Sequence, residues 1–338
     1  MADIAVWFPA VRTGTGTDVF TERLVTALRA RGVRAEVTWL SLSAEYAPWT
    51  VRRPPRPPWA TVAHVNTWLH PRFVPADMPM VATLHHSVHD PALRPYKGTA
   101  RDLYHRFWMA TIERRVLLRA DVVVAVSRFV AECARSVLLD VPMRVIHNGV
   151  DTRRFAPVHA REARDVFRLL YVGTWMARKG VDLLAPVMRQ LGDGYELRHT
   201  GGGRVIDHLD EPANMHNVGR LAGDDVITAM READALLFPS RSEGLPLVVV
   251  EAMACGLPVV ARATSSLPEV VEDGVTGMLV SEESVEAIAA TIRQLAADED
   301  ARRLMGQRAR QRAEDLFGIE RMVDAYIECY QAAISART

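Results

Sequence analysis

Between Asp234 and Val260 the chain has few options. Asp234 to Pro239 reads as a strand, and Pro246 suits the first position of a helix, where a missing N–H costs nothing. Gly256 suits the residue just past that helix and Pro258 prevents its continuation, after which Leu257 to Val260 reads as a short buried strand. Strand, helix and strand in so short a span call for a parallel sheet with a helical crossover. The chain opens the same way. Ile4 to Phe8 is an apolar run, Val11 to Thr17 a glycine loop, and Val19, Phe20, Leu24, Val25 and Leu28 line one side of a helix that ends at Gly32. Val33 to Leu40 is the next strand. A third unit starts at Phe167 to Gly173, with a loop to Gly180 and a helix from Val181. The recurrence implies two α/β halves, each a doubly wound parallel sheet.

Two glutamates stand out in the 234–260 stretch. Glu243 lies in the loop feeding the helix N-terminus, and Glu251 lies about one and a half turns inside it. Unpaired N–H groups at a helix start attract phosphate, and a carboxylate beside them can reach the hydroxyls of whatever carries it. The plainer alternative is a glutamate that complements the helix dipole. Arg178 and Lys179 precede the helix from Val181, where two cations can neutralise a diphosphate. An exposed basic pair is the alternative. It is weaker for Lys179, because the chain has 39 arginines and only two lysines, Lys97 and Lys179.

Charge is unevenly divided. Residues 1–158 carry 21 Arg and Lys against 13 Asp and Glu, a balance of +8, and the remainder carries −8. The basic first half fits an anionic surface or acceptor, or is simply a solvated face. Residues 48–59 form a proline–arginine loop with tryptophan at both ends, read as an acceptor or membrane contact or as a stiff spacer. Asp102 to Arg119 reads as a helix that mixes arginines with Tyr104, Phe107 and Trp108, which fits a membrane surface or a core face. No run of eighteen apolar residues is present. The first residues read as a strand rather than a signal peptide. Three cysteines without metal-like spacing fit a reducing cytoplasm. His85, His86 and His89 follow a strand from Met80 but lack the Cys or Glu partners of a zinc site.

The run Pro-Ser-x-x-Glu-Gly-x-Pro, seven residues between the two glutamates, and Glu-Ala-Met-Ala-Cys-Gly-x-Pro-Val-Val-Ala resemble the glutamate-x7-glutamate motif of the retaining glycosyltransferases of family 4. Asn148-Gly-Val-Asp-x-x-x-Phe155 and Thr83-Leu-His85 fit the same resemblance. It implies the GT-B fold, two Rossmann-like domains facing across a cleft. Residues 1–155 would hold the acceptor and 156–318 the nucleotide sugar, with 319–338 a helix returning to the first domain. The implied catalytic residues are His85 (with His86 the alternative), Arg178, Lys179 and Glu243. The implied donor-binding residues are Gly16, Gly201, Gly244, Leu245, Leu247 and Glu251.

The resemblance further implies transfer of a hexose from a UDP- or GDP-sugar to a glycan or lipid-linked acceptor, with retention and with no cofactor, metal or nucleic acid. It implies a cytoplasmic place, at the inner face of the membrane if the basic domain touches anionic lipid. Thr174 departs from the pattern, standing where many members have arginine, and Ser265 and Ser266 stand where glycines are usual. A GT-B epimerase or phosphorylase and a non-catalytic nucleotide-sugar-binding subunit are the rival readings.

Overall fold

The computed structural model describes residues 4–86, 88–157, 165–201 and 211–337. The chain divides into two compact units, one of residues 1–149 with 319–338 and the other of residues 150–318.

In the first unit the strands are β1 (Ala5–Val11), β2 (Arg34–Leu40), β3 (Val62–Asn66), β4 (Met80–Leu84), β5 (Val122–Ala125) and β6 (Arg144–Val145). All pair in parallel, in the order β2-β1-β3-β4-β5-β6. β1, β3 and β4 are apolar along most of their length because helices cover both faces of the sheet. The helices are α1 (Gly16–Ala30), α2 (Ser43–Tyr46), α3 (Thr99–Leu103), α4 (Ala110–Arg119) and α5 (Arg128–Val137). The helix expected from Asp102 begins at Thr99, and its middle, Tyr104–Met109, is a π-turn between α3 and α4. The closing helix Ile319–Ser335 packs Met322, Val323, Tyr326, Cys329 and Tyr330 into the core that Phe8, Leu24 and Val62 also build. A buried polar chain fastens it there: His64 bonds Tyr330 Oη (2.7 Å) and Thr83 Oγ1 (2.8 Å), and Thr83 bonds Tyr326 Oη (3.0 Å).

In the second unit the strands are β7 (Phe167–Tyr171), β8 (Tyr195–His199), β9 (Met215–Asn217), β10 (Ala235–Phe238), β11 (Val259–Arg262) and β12 (Gly277–Val280). The order β12-β11-β10-β7-β8-β9 is again all parallel, with three strands on one side of β7, the unit's first strand in sequence, and two on the other. This is the Rossmann strand order, and it reverses direction between β7 and β10. The helices are α6 (Leu184–Leu191), α7 (Asp224–Glu232), α8 (Leu247–Ala254), α9 (Leu267–Val270), α10 (Val285–Ala297) and α11 (Glu299–Phe317).

Local boundaries differ from the sequence reading in two further places. The helix expected from Val181 starts at Leu184, because Gly180 takes a left-handed φ of 71° between two short 3-10 turns. Pro246 caps α8 from outside, with Leu247 as the first helical residue. β9 is short and ends at Asn217, since Gly219 (φ 71°) turns the chain away.

Candidate active site

In an open parallel sheet, ligands bind beyond the carboxyl ends of the strands where the strand order reverses. In the second unit that point lies between β7 and β10. Arg178 and Lys179 follow β7 and Glu243 follows β10, so the topology itself brings the three together. Lys179 Nζ lies 2.6 Å from Glu243 Oε1, and Arg178 Nη1 lies 3.8 Å from Glu243 Oε2. Lys179 also sits over the Phe238 ring at 5.4 Å.

The two loops are locked to each other. Arg178 donates to the carbonyl of Ser242, and Arg241 N donates to the carbonyl of Arg178 (2.9 Å). Arg241 also forks onto both oxygens of Asp182 at 2.7 Å each, and its Nε donates to Glu283 at 2.7 Å. Gly180 is required between them: a Cβ there would stand 2.2 Å from the Pro239 carbonyl oxygen, and φ is positive as well.

Glu243 is 6 % exposed. Burial alone pushes its carboxyl up, but Lys179 and Arg178 outweigh burial and hold it below the usual carboxylate range. Burial likewise pulls the Lys179 ammonium down, against the opposing pull of Glu243. The result is an ionised, buried pair with a second cation beside it. Such a pair is costly to desolvate. Ser240 Oγ donates to Glu243 Oε1, and Ser265 Oγ accepts from Glu243 N–H at 3.0 Å.

Ser240 and Ser265 were missed as site residues in the sequence. Ser265 has φ 51°, left-handed for a residue with a Cβ, at a place where glycine would be unstrained. A serine at a glycine position was the visible signal. Its strained backbone is held where its hydroxyl fixes the Glu243 main chain.

The remaining predicted residues fall as follows. Gly244 and Leu245 are buried in the turn before α8, and Leu247 is its partly exposed first residue. Glu251 is 7 % exposed on α8. Gly201 donates its N–H to Asn217 Oδ1 at 3.2 Å, so the Asn217 side chain links the loops after β8 and β9. Gly202 and Gly203 lie outside the described residues. Thr174, in the place of the usual arginine, gives its carbonyl to Tyr171 Oη at 3.2 Å.

Gly16 and His85 belong to the first unit. Gly16 starts α1 with no close neighbour, whereas Gly14 carries the left-handed φ of 71° that the loop demands. Asp18 curls that loop, accepting from Gly14 N at 2.7 Å and Thr13 N at 3.0 Å. His85 directly follows β4 and meets Phe20 edge-on at 4.5 Å between ring centres. Burial lowers its pKa to about 4, so it is neutral at pH 7. With Thr13, Asp18, His64, Asn66 and Glu45 it lines a small cavity of about 40 Å³ beyond β1 and β3, where the first sheet's own strand order reverses. His89 pairs instead with buried Glu113 at 2.6 Å, so the three histidines do not converge. Among the described residues no group of three or more His, Cys, Asp or Glu could hold a metal ion, and no helix is long and apolar enough to cross a membrane.

Comparison with known proteins agrees on the class. Residues 154–312 match the family of glycosyl transferases group 1, and residues 59–154 match glycosyltransferase family 4. A glycogen synthase of Mycobacterium tuberculosis is 30% identical over 296 residues, 80% of this chain and 69% of that protein. Among solved structures, sucrose-phosphate synthase from Thermosynechococcus elongatus superposes with a TM-score of 0.82 at 21% identity, over 98% of this chain and 100% of that one. Anabaena HepE in complex with UDP and glucose reaches 0.72 at 18% identity, over 97% and 100%. At those identities the structural likeness establishes the fold.

Proposed function

Because the chain belongs to the GT-B glycosyltransferases, enzymes that move a sugar from a nucleotide-diphosphate sugar to an acceptor, we propose that it is a retaining, metal-independent hexosyltransferase. The observation that carries this reading is the cluster of Arg178, Lys179 and Glu243 at the β7–β10 strand reversal. Its donor is a UDP- or GDP-sugar. Its acceptor is a glycan or lipid-linked sugar of surface polysaccharide or glycolipid synthesis, met through the basic N-terminal domain at the inner face of the cytoplasmic membrane.

In this mechanism the donor diphosphate gives Lys179 and Arg178 a second anion, and both cations stabilise it as the glycosidic C–O bond breaks. Glu243, held by Ser240 and Ser265, accepts hydrogen bonds from sugar hydroxyls, with Gly244 and Leu245 offering backbone at the start of α8. Leu247 and Gly201 border the donor, and Glu251 accepts from the ribose hydroxyls. Gly16 and neutral His85 are the first unit's contributions, to phosphate and to sugar. The acceptor oxygen bonds to the anomeric carbon on the face the diphosphate leaves. Its proton passes to a leaving-phosphate oxygen, so configuration is retained without a covalent intermediate. Two protein cations supply the charge that a divalent metal supplies in other sugar transferases.

The test is release of UDP or GDP from a panel of nucleotide sugars in the presence of lipid-linked and soluble acceptors, with and without a chelator. Product of the donor's own anomeric configuration, formed in chelator, is expected. Inversion, or activity restored only by magnesium, would refute the respective part.

A further inference from the structure

The geometry points to a bilayer-docking face on the first unit, formed where the segment from Ser43 to Arg53 packs on the π-turn Tyr104–Met109, with an anionic lipid surface as its occupant. It gives the membrane contact proposed above a definite surface.

The two segments are joined by rings and by one carboxylate residue. Tyr46 lies 5.4 Å from Tyr104 and Trp49 lies 6.0 Å from Trp108 between ring centres. Trp108 Nε1 donates to the Glu45 carbonyl at 3.1 Å, and Tyr104 Oη donates to the Glu45 carboxylate at 3.4 Å. Those contacts bury one edge of the cluster and leave large apolar side chains outward. Trp49 is 66 % exposed, Phe107 64 %, Leu103 54 % and Tyr46 53 %. A soluble surface seldom groups four such residues without a partner.

The charge around them selects the partner. Arg52, Arg53, Arg101 and Arg106 are all exposed, and Arg106 lies over the Phe107 ring at 5.6 Å. The acids on the same segments are withdrawn: Glu45 is buried, and Asp102 is partly covered. Exposed tryptophan, tyrosine and phenylalanine among arginines suit the boundary of a bilayer, where rings enter the headgroup layer and guanidinium groups meet lipid phosphates. The face is also continuous with the first unit's cavity. Glu45, which anchors Trp108 and Tyr104 from beneath, lines that cavity as well. A chain docked here has its cavity next to the lipid headgroups, where a lipid-linked sugar would be presented.

The test is co-sedimentation of the full chain with vesicles of phosphatidylcholine alone and with 30 % (about one lipid in three) phosphatidylglycerol. The wild type is expected to bind the anionic vesicles at least fivefold more than the neutral ones, and to release them in high salt. Trp49→Ser with Phe107→Ser should lower binding at least fivefold while UDP- or GDP-sugar binding stays unchanged. Arg101→Glu with Arg106→Glu should do the same if the apolar pair proves insoluble. Absence of wild-type binding to anionic vesicles, undiminished binding by the folded variants, or a dimer in solution that the same substitutions dissolve would each overturn the proposal. Vesicle binding and nucleotide release are read separately, so failure here leaves the transferase reading standing.

Discussion

The two strand reversals of this molecule are built alike and furnished differently. Each sheet is six parallel strands, and each reversal receives a loop from the unit's first strand. In the second unit that loop delivers Arg178 and Lys179 against Glu243, ionised groups within 4 Å of one another. In the first unit it delivers Gly14, Gly16 and Asp18 beside threonines, and the histidines across the cavity are held neutral by burial, His64 to about 3 and His85 to about 4. The same architecture thus carries two cations against one carboxylate at one reversal, and at the other neutral histidines and hydroxyls beside the carboxyl groups of Asp18 and Glu45. Chemistry is set by the residues at the strand ends, and the fold decides only where they meet.

Substitutions can break this contrast in graded steps. Lys179→Ala removes a cation from developing charge and leaves buried Glu243 short of its partner. Turnover in a nucleotide-release assay should fall by about 10²-fold or more, and a loss below about fivefold would make Lys179 a structural cation. Glu243→Ala should be about as severe. Gly180→Ala forces a Cβ into the Pro239 carbonyl at a positive φ, so it should destabilise the second unit by more than about 1 kcal/mol and lower donor affinity, as read by thermal denaturation with and without nucleotide. An unchanged melting temperature would mean that the two loops are not locked together. Glu251→Ala should weaken donor binding about tenfold, equivalent to about 1.4 kcal/mol, with little change in kcat.

The smallest effect separates the two sites by pH. The unfolded histidines bind protons near pH 6.5, whereas His85 does so only near 4 when folded. Between those values the unfolded state holds more protons, so stability rises with pH across this window and is lost as pH falls through it. NMR titration should find His85 neutral down to about pH 5. A transition near 6.5 would contradict the burial argument.

Both parallel sheets and the join of Arg178 and Lys179 with the glutamate loop were legible, because strand–loop–helix punctuation by Gly and Pro is local. The resemblance supplied which glutamate to watch. What the sequence hid were details set by tertiary contact. The 3-10 turns at 177–183 replace a helix start because Gly180 must pass under Pro239. Ser265 fixes Glu243 from 22 residues away, which no local pattern encodes. Aromatics at helical spacing favour a core face for Trp108 and Tyr104 over a membrane surface, and only the contact with Glu45 tells which rings are covered and which of their neighbours face outward.

The central claim is that the second unit's strand reversal holds a nucleotide diphosphate on Arg178 and Lys179. Calorimetric titration of UDP and of GDP into the wild type and into Lys179→Ala tests it most directly. The account predicts that one of the two nucleotides binds the wild type and that the substitution weakens it at least about tenfold, about 1.4 kcal/mol. Equal affinity in the two proteins, or no binding of either nucleotide to the wild type, would contradict it.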